Sequence, residues 1–149
     1  RARRSLQPLA VAVIDLDRLK DINDIGGHAA GDAALQRVAD ACTETFRETD
    51  LVGRVGGDEF IAVLPDSTLA QAAAACERLL GAVRQSPLMA QDFWIDLGVS
   101  VGVVQMQPDE DLDALIARAD GAMYRAKAAG GGRVTGAEAH DEDAGNPPR

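Results

Sequence analysis

The feature that most constrains the fold is an uninterrupted apolar run at residues 9–14, which ends in Asp15-Leu16-Asp17. A strand that is apolar on both faces is typical of the centre of a sheet covered on both sides. The chain has 149 residues, enough to build one such layered domain around a single core. We therefore expect one domain with Asp15 at the solvent-facing end of its central strand.

Periodicity predicts the elements around this strand. After a loop, apolar residues recur at helical spacing from Leu35 to Phe46, and Asp32 is the expected cap of that helix. Strands are predicted at residues 51–55, 60–64 and 93–104, and helices at 65 to about 85 and about 112 to 129. A short edge strand is expected at residues 133–135. The order predicts an α/β (α+β) fold of ferredoxin-like type, an antiparallel sheet flanked by helices with a Gly-Gly hairpin.

Composition limits the partners and the domain boundaries. A net charge of −9 and 3% aromatic residues disfavour nucleic acid and anionic membranes as partners. Cys42 and Cys76 are not in a metal-binding or redox motif, so we expect buried thiols in a reducing cytoplasm. Any membrane tether is expected in regions of the parent protein outside this chain. The domain is predicted over residues 1–135, and the acidic stretch 136–149 is predicted to be a disordered tail.

Acidic residues gather at two predicted strand ends. Asp15 and Asp17 are two residues apart and point to the same face of an extended chain, where the Leu16 carbonyl could join them. Asp58 and Glu59 lie in the hairpin turn after Gly56-Gly57 and meet Asp15 if the strands are neighbours. Carboxylate oxygens suit Mg²⁺, which also keeps waters and substrate phosphates. The alternative is a strand-end cap beside an ordinary glycine hairpin.

The segment between these acidic groups is rich in polar side chains. Lys20, Asn23 and His28 offer a cation, an amide and an imidazole just beyond the first strand. An amide and a carboxylate together can recognise the edge of a purine. Asn23-Asp24 and Gly26-Gly27 are also common turn formers, so an ordinary loop is the other interpretation.

Together these segments resemble the GGDEF family, the diguanylate cyclases, over about residues 8–135. The stretches that carry the resemblance, in the family's order and spacing, are residues 15–24, Gly27-His28, Gly31-Asp32, residues 54–60 and residues 119–127. The resemblance implies a nucleotide-cyclase-like fold and the condensation of two GTP molecules into cyclic di-GMP. Each of two facing protomers then presents one GTP, so a homodimer is expected.

The resemblance also implies roles for individual residues. Asp15, the Leu16 carbonyl and Asp58 hold Mg²⁺, with Mn²⁺ as the other candidate ion. Asn23 and Asp32 recognise guanine, His28 lies against the nucleotide, and Lys20 and Lys127 neutralise phosphate. Asp58 accepts the proton of the attacking 3′-hydroxyl, and Glu59 completes the carboxylate cluster.

A regulatory site is implied by Arg47-Glu48-Thr49-Asp50, which stands where family members bind their own product as an inhibitor. Arg78 stands where a second arginine of that site is expected. Guanidinium groups suit the phosphates and bases of a cyclic dinucleotide. A surface ion pair at a helix end is the alternative.

Two departures from the family pattern bear on function. The helix and signature that usually begin the domain do not precede Arg1. In addition, Gly130-Gly131-Gly132 comes before Arg133, so a phosphate-contacting cation is expected to be displaced. The sequence thus supports an active cyclase first, and second a weakly active or inactive module that binds cyclic di-GMP or GTP as a receptor. A purely structural domain ranks last, because it leaves the carboxylates, Lys20 and Asn23 unexplained.

Overall fold

The computed structural model describes residues 7–137 and is built around a five-stranded sheet. In chain order the elements are β1 (Leu9–Leu16), α1 (Leu19–Thr45), β2 (Leu51–Arg54), β3 (Glu59–Pro65), α2 (Leu69–Arg84), β4 (Leu88–Ala90), β5 (Phe93–Ile95), β6 (Val99–Gln105), α3 (Leu112–Ala128) and β7 (Val134–Ala137). The predicted acidic tail beyond residue 137 lies outside the described residues. No helix within the described range is both long and apolar enough to cross a bilayer.

The strand order of the sheet is β2-β3-β1-β6-β7. β1 pairs antiparallel with both β3 and β6, while β7 runs parallel to β6 at the opposite edge from β2. The element order and this strand order together confirm the predicted ferredoxin-like antiparallel sheet. They also confirm the short edge strand near residue 134, which continues to Ala137.

The two faces of β1 pack into two different cores, as the apolar run predicts. Ala12 and Ile14 join the core beneath α1 and α2, whereas Val11 and Val13 join the core beneath α3. On the α3 side a Cβ added to Gly102 would overlap the backbone of α3, so this glycine lets the helix lie directly on the sheet. α3 is thereby held in a fixed position over β1 and β6.

The segment at residues 20–28, predicted as a loop, is helical. α1 begins at Leu19 and runs to Thr45, with non-helical torsions at Gly27, where φ is 80°. Asp32 lies inside this helix, so the prediction that it caps a helix is wrong. Burial of Ile22 and the close packing of Gly31 against Asn23 favour the helix over the turn propensity of the local residues.

The prediction of a single strand at residues 93–104 is also wrong, because β5 and β6 occupy this stretch as two separate strands. β4 and β5 form a hairpin whose turn residues Gln91 and Asp92 have φ of 53° and 68°. Two consecutive left-handed residues are what a tight hairpin turn requires. The pair Gln-Asp is not a common turn signal, which is why the hairpin was not predicted.

Candidate functional site

The predicted carboxylates meet at one end of β1 and β3. Asp15 is directly opposite Glu59 in the antiparallel pairing of the two strands. The backbone N–H of Leu16 donates a 3.1 Å hydrogen bond to the Asp58 carbonyl, which holds the turn before β3 against the end of β1. Strand pairing therefore brings Asp15, Asp58 and Glu59 into one cluster.

This cluster is short of positive charge. Burial raises the pKa of Asp15 to about 7; Lys127 opposes the rise, and the Asp58 and Glu59 carboxylates add to it. Burial also raises the pKa of Glu59, with further contributions from Asp120 and Asp58. Oδ1 of Asp15 is buried and accepts no hydrogen bond within the described part of the chain. A bound cation would relieve this crowding of carboxylates.

The nearest cation is the ammonium group of Lys127 on α3. Its Nζ lies 3.6 Å from Oδ1 of Asp15 and 3.2 Å from Oδ1 of Asp17. It also donates a 3.3 Å hydrogen bond to the Leu16 carbonyl. Asp15 and Asp17 thus face a common cation, which agrees with their predicted orientation.

Asp17 is engaged mainly in structural contacts. The buried Ser100 hydroxyl donates a 2.6 Å hydrogen bond to its Oδ1, and the Gly132 N–H donates a 2.8 Å hydrogen bond to its Oδ2. Both oxygens are therefore already in use. Asp17 ties the end of β1 to the glycine turn that follows α3.

The oxygen atoms at this site suit a hard divalent cation. Asp15, the Leu16 carbonyl and Asp58 could together offer carboxylate and carbonyl oxygens, the ligand types preferred by Mg²⁺. Among residues 7–137 no three acidic, histidine or cysteine side chains are arranged to hold a metal ion by themselves. The remaining ligands of an ion would have to come from water or substrate phosphate, as is usual for magnesium.

The Gly56-Gly57 turn does not use the positive φ torsions that glycine permits. Neither residue is among the described glycines with positive φ, and a Cβ added at either would meet no atom within 4 Å. Arg54 holds the turn through hydrogen bonds of 3.2 Å from Nε to the Gly56 carbonyl and 2.7 Å from Nη2 to the Gly57 carbonyl. The absence of side chains leaves open space above the turn.

The residues predicted to contact the nucleotide all lie on α1 or close to its start. Oδ1 of Asn23 is buried against Gly31 and has no hydrogen-bond partner among the described residues. Asp32 lines a cavity of about 390 Å³ together with Phe60 and Arg54. Lys20 is 88% exposed and pairs with Asp24 at 3.3 Å. His28 is exposed and follows the kink at Gly27. Within the described part of the chain, neither Lys20 nor His28 makes a hydrogen bond or ion pair with Asp15, Asp58 or Glu59.

The predicted inhibitory residues lie at a separate place, around a cavity of about 300 Å³. Arg47 donates to Asp50 at 2.8 Å, to the Pro65 carbonyl at 2.6 Å and to Ser67 at 3.0 Å. The Asp50 side chain is 2% exposed, so it acts as an internal partner of Arg47. Arg78 lines the same cavity and is exposed.

Comparison with known proteins agrees with this geometry. A family model described as "Diguanylate cyclase, GGDEF domain" matches residues 1–133. The chain belongs to the GGDEF family. This confirms the resemblance inferred from the sequence and, with it, the assignment to a nucleotidyl cyclase family.

Individual relatives support the same assignment. The chain is 39% identical over 134 residues to diguanylate cyclase DosC of Escherichia coli (strain K12), covering 89% of this chain and 29% of that protein. Diguanylate cyclase SiaD of Pseudomonas aeruginosa, solved with its activator SiaC, superposes with a TM-score of 0.85 at 34% identity over 92% of this chain and 53% of that one. The GGDEF domain of DgcB from Caulobacter crescentus, solved with c-di-GMP, gives 0.85 at 28% identity over 91% of this chain and 81% of that one.

Two residues of this GGDEF site received no role from the sequence. Asp120 on α3 interacts with Glu59 closely enough to raise the pKa of that residue. It stands seven residues before Lys127, two helical turns away, so helical spacing alone places both on one face. Ser100 directly faces Asp15 across β1 and β6 and is fully buried. The sequence signal that could have identified Ser100 is a serine within an otherwise apolar strand.

Proposed function

We propose that this chain is the catalytic domain of a diguanylate cyclase, which condenses two GTP molecules into cyclic di-GMP and releases two pyrophosphates. The observation that carries the proposal is the cluster of Asp15, Asp58 and Glu59 beside the ammonium group of Lys127, within a chain of the GGDEF family. The chain spans 29% of the length of its curated relative DosC, so the proposal concerns the domain and not the whole parent protein.

A divalent ion, Mg²⁺ or Mn²⁺, would be held by Asp15, the Leu16 carbonyl and Asp58. When bound, such an ion neutralises phosphate charge and polarises the reacting phosphoryl group. Oδ1 of Asp15 is buried and accepts no hydrogen bond among the described residues, and it faces the ammonium group of Lys127 only at 3.6 Å. Burial also raises the pKa of Asp15. Both observations support this assignment, because additional positive charge at this position would favour the carboxylate.

The chemical step is a displacement at the α-phosphorus of GTP. The 3′-oxygen of one GTP forms a bond to the α-phosphorus of the other, and the bond from that phosphorus to the β-phosphate bridging oxygen breaks. Pyrophosphate leaves, and we assign Asp58 as acceptor of the 3′-hydroxyl proton. Glu59 completes the carboxylate cluster. Lys127, whose Nζ lies 3.6 Å from Oδ1 of Asp15, offsets phosphate charge.

Guanine recognition is assigned to Asn23 and Asp32. The buried Oδ1 of Asn23 is an acceptor without a partner among the described residues, and guanine offers N–H donors on its edge. Asp32 lines a neighbouring cavity of about 390 Å³. His28 and Lys20, both exposed, are assigned contacts with the nucleotide and its phosphates.

Turnover is proposed to need a homodimer. Each chain carries one such cluster, and the reaction joins two GTP molecules, so two protomers must present their sites to each other.

Cyclic di-GMP is proposed to inhibit the enzyme by binding at Arg47, Asp50 and Arg78. The exposed guanidinium of Arg78 beside a 300 Å³ cavity supports a site for an anionic ligand there.

The test is incubation of the chain, alone and fused to a dimerising coiled coil, with GTP and Mg²⁺, followed by chromatography for cyclic di-GMP and pyrophosphate. Asp58→Ala is expected to abolish turnover while leaving the thermal unfolding temperature nearly unchanged, since a turn carboxylate adds little to the core. Asp113→Ala, which removes an exposed carboxylate from α3, should leave turnover intact. Product formation by Asp58→Ala would refute the site assignment. Binding of cyclic di-GMP without any turnover by the dimer would favour a receptor.

A further inference from the structure

An apolar groove of about 570 Å³ lies between the start of α1 and the β4–β5 hairpin. Its apolar lining residues are Ile22, Ile25, Phe93, Trp94 and Ile95. Three of these side chains are largely exposed, Ile25 at 50%, Phe93 at 64% and Trp94 at 66%, and we call these three the aromatic patch. Neither aromatic ring contacts another ring within the described part of the chain. Exposed aromatic side chains grouped in this way are typical of a surface that binds a partner.

The hairpin that carries the patch is fixed to the core. Leu88 and Ile95 are directly opposite each other in the hairpin, and both are buried beneath α1 and α2. A Cβ added to Gly26 on α1 would lie 2.9 Å from the Cβ of Ala90, so this glycine lets the hairpin approach α1 closely. The aromatic patch is therefore already in place before any partner binds, which lowers the ordering cost of binding.

Charged side chains of both signs surround the patch. Arg18, Asp21 and Asp96 line the same groove, and all three are exposed. None of these side chains makes a hydrogen bond or ion pair with any residue that the structure describes. A contact about a two-fold axis brings the same surface of two copies together, so that surface must be complementary to itself. The patch meets this condition, because Arg18 of one copy can face Asp21 of the other.

The patch also adjoins the carboxylate cluster. The backbone N–H of Asp17 donates a 2.8 Å hydrogen bond to the Gly98 carbonyl, which ties the end of β1 to the segment between β5 and β6. Arg18 follows Asp17 directly and stands three residues after Asp15. A two-fold contact at the patch would therefore place the carboxylate clusters of both copies beside the contact.

We propose that the aromatic patch is the surface through which two copies of this chain associate. Phe93 and Trp94 form the apolar centre of the contact, and Arg18 pairs with Asp21 across the two-fold axis. Three large apolar side chains per copy make a contact at the small end of protein interfaces, so the dimer is weak and depends on concentration. The part of this dimer in turnover rests on the proposed function, whereas the association itself does not.

The first test uses Trp94, which is the only tryptophan of the chain, so its fluorescence reports on the patch alone. Sedimentation velocity and tryptophan emission are measured on the wild type from about 1 μM to about 1 mM, the range of weak complexes. The sedimentation coefficient should rise with concentration while the emission shifts to shorter wavelength, because the indole ring leaves water. A monomer at every concentration, or a dimer with unchanged emission, would overturn the proposal.

The second test removes the apolar centre. Phe93→Ser/Trp94→Ser should raise the dimer Kd about tenfold or more, measured by sedimentation. Leu51→Ser is the matched control, because Leu51 is 67% exposed, lies on β2 and does not line the groove. Its Kd should stay within about twofold of wild type. Equal Kd values in the double variant and wild type, or an equal loss in both variants, would contradict the patch as the contact surface.

The third test reverses the charges and leaves the apolar centre intact. Arg18→Asp and Asp21→Arg should each weaken the dimer about tenfold, because like charges then face each other. The variant with both changes should return to within about threefold of the wild-type Kd, since opposite charges face each other again. No recovery in that variant would remove the two-fold pairing. A shift of Trp94 emission with phosphatidylcholine vesicles, and none with protein concentration, would assign the patch to a membrane and overturn the dimer.

Failure of this surface and failure of the proposed function have different signatures. A wild-type chain that dimerises through Trp94 but forms no cyclic di-GMP would remove the function and keep the surface. A Phe93→Ser/Trp94→Ser variant that dimerises and turns over as wild type does would remove the surface and keep the function. If both hold, that variant loses turnover alone and regains it when fused to a dimerising coiled coil, because the fusion supplies the association.

Discussion

Nζ of Lys127, near the end of α3, lies 3.6 Å from Oδ1 of Asp15, at the end of β1. This contact joins the first strand to the last helix and supplies the cation nearest to the carboxylate cluster. It only partly offsets the burial of Asp15, whose pKa remains raised to about 7. Near neutral pH Asp15 is therefore only partly ionised, and additional positive charge nearby would favour its carboxylate form.

The raised pKa of Asp15 predicts a pH dependence of stability in the absence of metal. Between its ordinary value of 3.8 and about 7, the folded protein binds more protons than the unfolded chain does. The free energy of unfolding should therefore fall as pH rises through this range. We expect wild type to lose on the order of 2 kcal/mol relative to Asp15→Asn, measured by urea unfolding at about pH 4 and about pH 7.

Added Mg²⁺ provides the control for that experiment. An ion bound to ionised Asp15 should stabilise the wild type near neutral pH and have little effect on Asp15→Asn. A stability difference between the two proteins that is constant across this pH range would show that Asp15 titrates at its ordinary value in the folded protein.

Gly31 is predicted to be necessary for the position of Asn23. A Cβ at residue 31 would overlap the Asn23 side-chain oxygen, so Gly31→Ala must displace the amide assigned to guanine. We expect a rise in KM for GTP of about tenfold with a smaller change in kcat, measured by steady-state release of pyrophosphate.

Gly81→Ala is the matched substitution, because it also lies within a helix and its new methyl group would meet no atom within 4 Å. That variant should keep the wild-type KM and gain up to about 1 kcal/mol in unfolding free energy from better helix propensity. An unchanged KM in Gly31→Ala would argue against guanine recognition by Asn23.

Arg78 and Arg47 should differ when each is replaced by alanine. Arg78 is exposed and makes no hydrogen bond within the described part of the chain, so Arg78→Ala should relieve inhibition by cyclic di-GMP without lowering Tm. Arg47→Ala should relieve inhibition and also lower Tm, because the buried Asp50 carboxylate loses its guanidinium partner and keeps only the Arg47 backbone N–H. The measurements are initial rates with added product and thermal unfolding. Undiminished inhibition in Arg78→Ala would exclude it from the inhibitory site.

Gly102 is predicted to set the distance between α3 and the sheet. A methyl group at this position would overlap the backbone at Ala119 and Met123, so Gly102→Ala should cost about 3 kcal/mol or more in unfolding free energy. Gly53→Ala, in the exposed edge strand β2, meets no atom within 4 Å and should change stability by less than about 1 kcal/mol. Guanidinium unfolding of the two variants measures the contrast, and equal stabilities would contradict close packing of α3 at Gly102.

Prediction from sequence succeeded where a local pattern has one structural solution. The apolar run before Asp15 can be buried on both faces only if helices cover both sides of the sheet, and the structure buries both faces of β1. Prediction failed where local propensity and tertiary packing disagree. Asn23, Asp24 and Gly26 favour a turn in isolation, but burial of Ile22 beneath the sheet makes the segment helical.

The sequence by itself determined the family, the sheet and the acidic residues of the site, because hydrophobic periodicity and motif spacing are properties of the chain. Only the tertiary structure decided how those residues are used. Asp15 and Asp17 stand on either side of Leu16 in the sequence. The Asp17 carboxylate accepts hydrogen bonds from Ser100 and Gly132, whereas one oxygen of Asp15 accepts no hydrogen bond among the described residues. That difference depends on β6 and on the turn after α3, which reach Asp17 only when the sheet and α3 have packed together.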